Sequence, residues 1–291
     1  MYRAALNLAR PAALLLVAAV ATACVGTAGA AGPPATPAPD PDRVVFRVDW
    51  DGGFVPLDVH LGRLPQVVVY ADGRVVTQGP QIEIYPGPLL PSLQVRTLTP
   101  EALERLVAKA KELGLLADAH YDAIGIADAP TTILTLDVDG RTYRVSAYAL
   151  AEAGVDDVPG FPGMDEATKA GREALRTFVD TLTGLPDDDF AGPWATYEPT
   201  SLRIFTLPVI ELPDDMVPPG GPVAWPIGVI DTAGQPFGDG AQGIRCQVVS
   251  GDDLDTLLPF LQDANGQSLF TSGGGSWSLV VRPLLPGEAG C

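Results

Sequence analysis

Two Asp-Gly dipeptides constrain this chain more than any other feature. Asp72-Gly73 lies between "QVVVY" and "RVVTQ", and Asp139-Gly140 between "TTILTLDV" and "RTYRVSAY". β-Branched residues suit a pleated, half-buried surface, and Asp-Gly supplies the positive φ that a type I′ turn needs at both central positions. The sequence therefore predicts antiparallel hairpins over Gln66–Gly79 and Thr131–Tyr148, with further strands at "VVFRVDW" (Val44–Trp50) and "SLQVRTL".

Between the hairpins runs "TPEALERLVAKAKELG", with Thr99 as N-cap, Pro100 at the first helical position and Gly114 past the end. Leu103, Leu106, Val107, Ala110 and Leu113 give it one apolar face. A second helix is predicted from about Glu166 to Leu182. The order hairpin, helix, hairpin, helix suggests a duplication, but the same apolar spacing recurs at Leu254, Leu257, Leu258 and Leu261, so it reports amphipathic helices in general. The C-terminal third offers the strand candidates "SLRIFTLPVI", "PVAWPIGVI", "GIRCQVV" and "SWSLVVRPLL" around the helical "SGDDLDTLLPFLQDANG". Ser250 and Asp253 there approximate a capping box, and Pro259 predicts a kink or two short helices.

The body from Arg43 onward, about 250 residues, exceeds the usual size of one domain. The Pro, Gly and Asp cluster "GLPDDDFAGPW" marks the composition break. The expected fold class is α+β: two small domains of antiparallel hairpins packed with amphipathic helices, at 43–185 and 196–291, joined by a linker at 186–195. A long loop within one domain is the alternative.

Met1–Arg10 carries Arg3 and Arg10 and no acid, followed by the apolar "PAALLLVAAVATA" and then Cys24. That is the layout of an export signal, residues 1–23, although a retained anchor is an alternative. Residues 24–42, rich in Ala, Pro and Gly, read as a flexible tether. The chain has three cysteines. If Cys24 is spoken for, Cys246 and Cys291 remain as an even pair, and export implies an oxidising compartment. A bridge between them closes a loop worth roughly 4 kcal/mol in the chain-entropy model; two buried free thiols are the alternative.

Residues 1–23 hold two of the 18 basic residues and none of the 36 acidic ones, so from Cys24 onward the formal charge is −20. Nucleic acid is excluded as a partner, since phosphate binding needs clustered Lys and Arg. The acidity reads as solubility, with cation binding as the sharper alternative.

Little in the sequence selects a reaction. His60 and His120 are the only histidines, and no nucleophile elbow, zinc-protease helix, P-loop or dinucleotide fingerprint is present. No catalytic residue, cofactor or metal ligand is assigned. "DVDG" at Asp137–Gly140 lacks the spacing of a calcium loop and reads as a turn. Asp187–Asp189, with Asp252, Asp253 and Asp255, read as solvated charge or helix-start acids. Trp50, Trp194, Trp225 and Trp277 could stack on sugars but read as core and interface anchors.

Val20–Cys24 resembles the lipobox of bacterial lipoproteins, with Ala21 where that family prefers Leu. The resemblance implies diacylglycerol on Cys24 and cleavage just before it; ordinary cleavage after "ATA" or "AGA" competes. "PQVVVYADGRVVTQG", "LTPEALERLVAKAKELGLL" and "DAPTTILTLDVDGRTYRV" are together similar to a domain of unknown function in exported bacterial proteins and lipoproteins, with a D-x-P-T-T-x-L element at Asp128–Leu134. The Cys-containing motif usual near its first hairpin is replaced here by "DGGFVPLDVHLG". The ending "RCQVVSGDD" through "WSLVVRPLLPGEAGC" is similar to that of other high-GC bacterial lipoproteins. These resemblances imply an outward-facing protein held to the membrane through Cys24. Its expected role is a non-enzymatic module binding an envelope protein or polymer. A hydrolase acting on an extracellular polymer and a secreted inhibitor using an exposed hairpin are the alternatives.

Overall fold

A computed structural model describes residues 40–122, 126–152, 164–209, 222–240 and 242–291. The export signal, Cys24 and nearly all of the tether lie outside these residues. Pro39–Cys291 forms one compact unit. The chain order is β1 (Val44–Gly52), α1 (Leu57–Leu61), β2 (Val67–Tyr70), β3 (Arg74–Gln78), β4 (Leu93–Thr97), α2 (Pro100–Glu112), β5 (Ala119–Tyr121), β6 (Pro130–Val138), β7 (Arg141–Tyr148), α3 (Glu166–Thr183) and β8 (Ala195–Thr196). Then follow β9 (Ser201–Val209), β10 (Val223–Ala224), β11 (Gln235–Pro236), β12 (Arg245–Ser250), α4 (Asp252–Gln262), β13 (Phe270–Ser272) and β14 (Gly275–Pro283). The fold is broadly α+β, with two mostly antiparallel sheets ordered β5-β7-β6-β1-β2-β3-β4-β8 and β10-β13-β14-β9-β12-β11.

Local chemistry explains most elements. Thr99 caps α2 by accepting from the Ala102 amide, and Asp165 does the same for α3 at Thr168. At the second hairpin both Asp139 and Gly140 have positive φ, as a type I′ turn requires. The first hairpin differs from the expectation. Only Gly73 is left-handed there, and its amide bonds the Tyr70 carbonyl, so the loop is a turn closed by a glycine bulge. Helix α4 also differs: it starts on Gly251 without a side-chain cap and runs unbroken through Pro259. Pro259 is on the solvent side, where the carbonyl that loses its amide partner can bond water.

Helices α2 and α3 cover one face of the first sheet, with Leu106, Ala110, Leu175 and Phe178 against Phe46, Leu134 and Leu136. Helix α4 covers the second sheet through Leu254, Leu257 and Leu261. Residues 186–195 lie along the first sheet: Phe190 is buried in its core and Ala195–Thr196 add strand β8. Asp187 and Asp189, expected as solvated charge, pair with Arg96 and Arg105.

The sheets meet through α1 and the segment 284–291. Leu61 packs with Phe205 and Cys246 of the second sheet, and Leu285 packs with Val68 and Tyr70 of the first. Between them, Glu288 accepts from Arg47 at 2.7 Å and Arg282 at 3.0 Å, and its side chain is 4% exposed. Burial alone would raise this carboxyl; Arg282, Arg47 and the Leu285 amide outweigh it and hold it below its ordinary value of 4.5. Across the β9–β14 pair Arg282 stands opposite Arg203, whose guanidinium is lowered by burial and by Arg282 and donates to the Ala289 carbonyl. The Cys246 and Cys291 sulfurs lie at disulfide distance, with Cα atoms 5.6 Å apart.

Candidate functional site

At the end of β1, Gly52 and Gly53 take φ of 70° and 80°, a region that side chains resist. The chain bends outward there, and Phe54, Val55, Leu57 and Val59 emerge into solvent, Phe54 at 88% exposure. Trp50, 43% exposed, stands behind them. Contiguous exposed apolar surface of this kind marks interaction sites.

Trp50 is a wall shared by two clefts. One, of about 560 Å³, lies between strand ends and the last turns of α3 and is lined by Gln66, Gln78, Thr132, Val179 and Asp180. The other, of about 480 Å³, is lined by Phe54, Val55, Val59, Leu64 and Asp128. A third cleft, of about 540 Å³, adjoins through Val59 and Gly62, and Asp58 lines it. The result is a largely apolar groove with a carboxylate on each cleft.

Buried polar groups set the rim. Arg172 is fully buried on the inward face of α3 and donates to the carbonyls of Tyr148, at 2.8 Å, and Ala149, at 3.2 Å. The Tyr148 hydroxyl donates to the Ile126 carbonyl and accepts from the Ala129 amide. These bonds brace two non-glycine residues of positive φ, Asp128 at 63° and Ala149 at 52°. Left-handed backbone costs roughly 1–2 kcal/mol per residue, and such strain concentrates where a site is built. The third positive-φ non-glycine residue, Asp139, is explained by its turn. Arg172→Met is expected to lower stability by about 3 kcal/mol, since two buried carbonyls lose a charged donor; an unchanged urea midpoint would show that the brace carries no load.

The arginines of the groove are turned inward. Arg63 donates to the carbonyls of Trp50 and Gly52, and Arg176 to Glu173 and the Leu150 carbonyl. Asp51, Asp58, Asp128 and Asp180 are exposed.

Cys246 and Cys291 come together, as described above, and neither lines the three clefts. His60 and His120 are both exposed and line none of these clefts, although His60 follows the lining residue Val59 on α1. His120 bridges Ser146 Oγ through Nδ1 and Asp122 through Nε2, each at 2.8 Å. Those residue types match a nucleophilic triad; Ser146 is only 8% exposed, sits within the β6–β7 strand pair and lines none of the three clefts around Trp50. Among the described residues no three His, Cys, Asp or Glu side chains converge as metal ligands, and no helix is long and apolar enough to cross a membrane.

Sequence reasoning missed Trp50 as an exposed group, the 54–59 patch and Arg172. The signal for the patch was present in "DGGFVPLDV", where two glycines precede apolar residues lacking either strand or helix period. The D-x-P-T-T-x-L element contributes Asp128 and Pro130 to one cleft and Thr132 to the other. Of the four tryptophans, Trp225 is a core residue as expected. Compared with protein-family models, curated proteins and solved structures, the chain returns no match.

Proposed function

We propose that this chain is an exported, lipid-anchored envelope protein, facing outward, whose two α+β modules act as a non-enzymatic binding unit through the groove around Trp50. The observation that carries this reading is the exposed apolar patch Trp50–Val59 set between neighbouring clefts. Trp, Tyr and Arg anchors in such pockets dominate binding energies at interfaces. The anchor reading is supported by the export-signal layout and the Val20–Cys24 resemblance. Strand β1 starts beside the tether at Val44 and reaches the groove at Trp50, about 20 Å further on at the rise of a strand, so a partner can be met away from the attachment point.

Two experiments test this. Capture of partners from intact envelope should be lost for Trp50→Ala and for Phe54→Ser, both at exposed positions that leave the core intact; undiminished capture by both would refute the binding reading. Cys24→Ala should move the protein out of the membrane fraction, and an unchanged distribution would refute the anchor.

A further inference from the structure

The groove's own chemistry selects its occupant. We propose that it accepts a cationic amphipathic polypeptide segment, whose apolar side chains enter the clefts beside Trp50 while its lysine or arginine side chains reach the rim carboxylates. This deepens the binding reading and rests on it.

Charge complementarity carries the argument. Each of the three clefts has one exposed aspartate in its wall: Asp180, Asp128 and Asp58. None of these makes an ion pair with another described residue, and among the described residues Asp51, beside Trp50, accepts only the neighbouring Gly52 amide. The two arginines in the same walls are already committed to backbone carbonyls and Glu173. The site has therefore consumed its cations and left its anions open, within a chain of net charge −18 that draws cations towards it.

Each competing occupant conflicts with one of these features. A small hydrated cation would leave Trp50, Phe54, Val55 and Val59 in water. A second copy meeting this patch about a twofold axis would set the same aspartates against one another, since an isologous contact pairs a surface with itself. An anionic lipid surface is repelled by the rim. A polypeptide with apolar anchors flanked by positive charge satisfies both the greasy floor and the acidic edge.

The probe is a synthetic amphipathic peptide built of leucine and lysine, titrated calorimetrically into the full chain. Controls are the same peptide with glutamate for lysine and with alanine for leucine. The leucine-lysine peptide should bind, and less tightly as salt is raised; both controls should lose at least about tenfold. Trp50→Ala should weaken binding about thirtyfold, the effect of losing one hot-spot aromatic. The triple variant Asp58→Asn, Asp128→Asn, Asp180→Asn should lose about tenfold and most of the salt dependence, with thermal unfolding unchanged because all three side chains are exposed. Equal binding of the glutamate peptide, or an unaffected triple variant, overturns the proposal. So does preference for phosphatidylcholine vesicles, or a dimer that Trp50→Ala dissociates. If Trp50→Ala abolishes envelope capture while the lysine peptide shows no preference, the cationic chemistry fails alone; if envelope capture is unaffected, the binding reading fails first.

Discussion

Glu288→Gln is expected to destabilise the protein by about 3–5 kcal/mol at neutral pH, the usual cost of removing one partner from a buried ion pair. The carboxylate side chain is 4% exposed and Arg282 5%. Arg282 reaches the carboxylate through Nη2, and its Nε and Nη1, like Arg203 Nε, have no hydrogen-bond partner among the described residues. Without the negative charge, Arg47 keeps Asp49, but Arg282 remains buried and still faces Arg203 across the strand pair, where like charges destabilise. The effect has a pH signature. Because the carboxyl of Glu288 sits below its ordinary 4.5 in the folded protein, its contribution is present above that value and is lost as pH falls through the folded one. Urea midpoints should therefore drop on acidification from neutral pH to about pH 3 more steeply for the native chain than for Glu288→Gln. Parallel pH profiles would show that Glu288 is not the group responsible.

Breaking the Cys246–Cys291 link, by reduction or by Cys246→Ser with Cys291→Ser, is expected to cost roughly 4 kcal/mol in the chain-entropy model for a sequence separation of 45. The bridge fastens the segment that also delivers Glu288 to Arg282, the Ala289 carbonyl to Arg203 and the Cys291 carbonyl to Gln235. Chemical denaturation with and without reductant measures the loss. Intact mass after alkylation should show two thiols appearing only on reduction, and thiols free from the outset would refute the bridge. Because one segment carries both fastenings, combining Glu288→Gln with reduction should cost less than the two separate losses together. Full additivity would mean that the fastenings act independently.

What could be read in the sequence was local. The second hairpin turn, the Thr99 cap and the extents of α2 and α3 each follow from a few neighbouring residues. The first hairpin was legible as a hairpin but not as a bulged one, because Asp-Gly serves both turn geometries and the choice is made by how Tyr70 and Arg74 pair. Strand β1 was legible as a strand, but its seat between β2 and β6 depends on residues far along the chain. Arg172 was invisible for a related reason: an arginine on a helix is normally surface, and only the carbonyls of Tyr148 and Ala149, brought there by β7, make its burial tolerable. The groove was half legible. The Asp128–Leu134 element stood out, but Asp58 and Asp180 carried no local signal, and the exposure of Trp50 depends on how far the last turns of α3 reach over the sheet, which no local pattern records.

Arg47 and its partner Glu288 are separated by 241 positions. A chain delivered amino terminus first presents Arg47 together with Asp49, 2.7 Å from its Nε, long before its second carboxylate, Glu288, arrives. Strands of the first sheet can pair meanwhile, but Arg47 Nη2, the atom that meets Glu288, waits for its partner. Long-range closures of this sort are the slow steps of folding. The segment 284–291 is thus a clock as well as a fastening: the seam between the two sheets is completed only when these residues arrive.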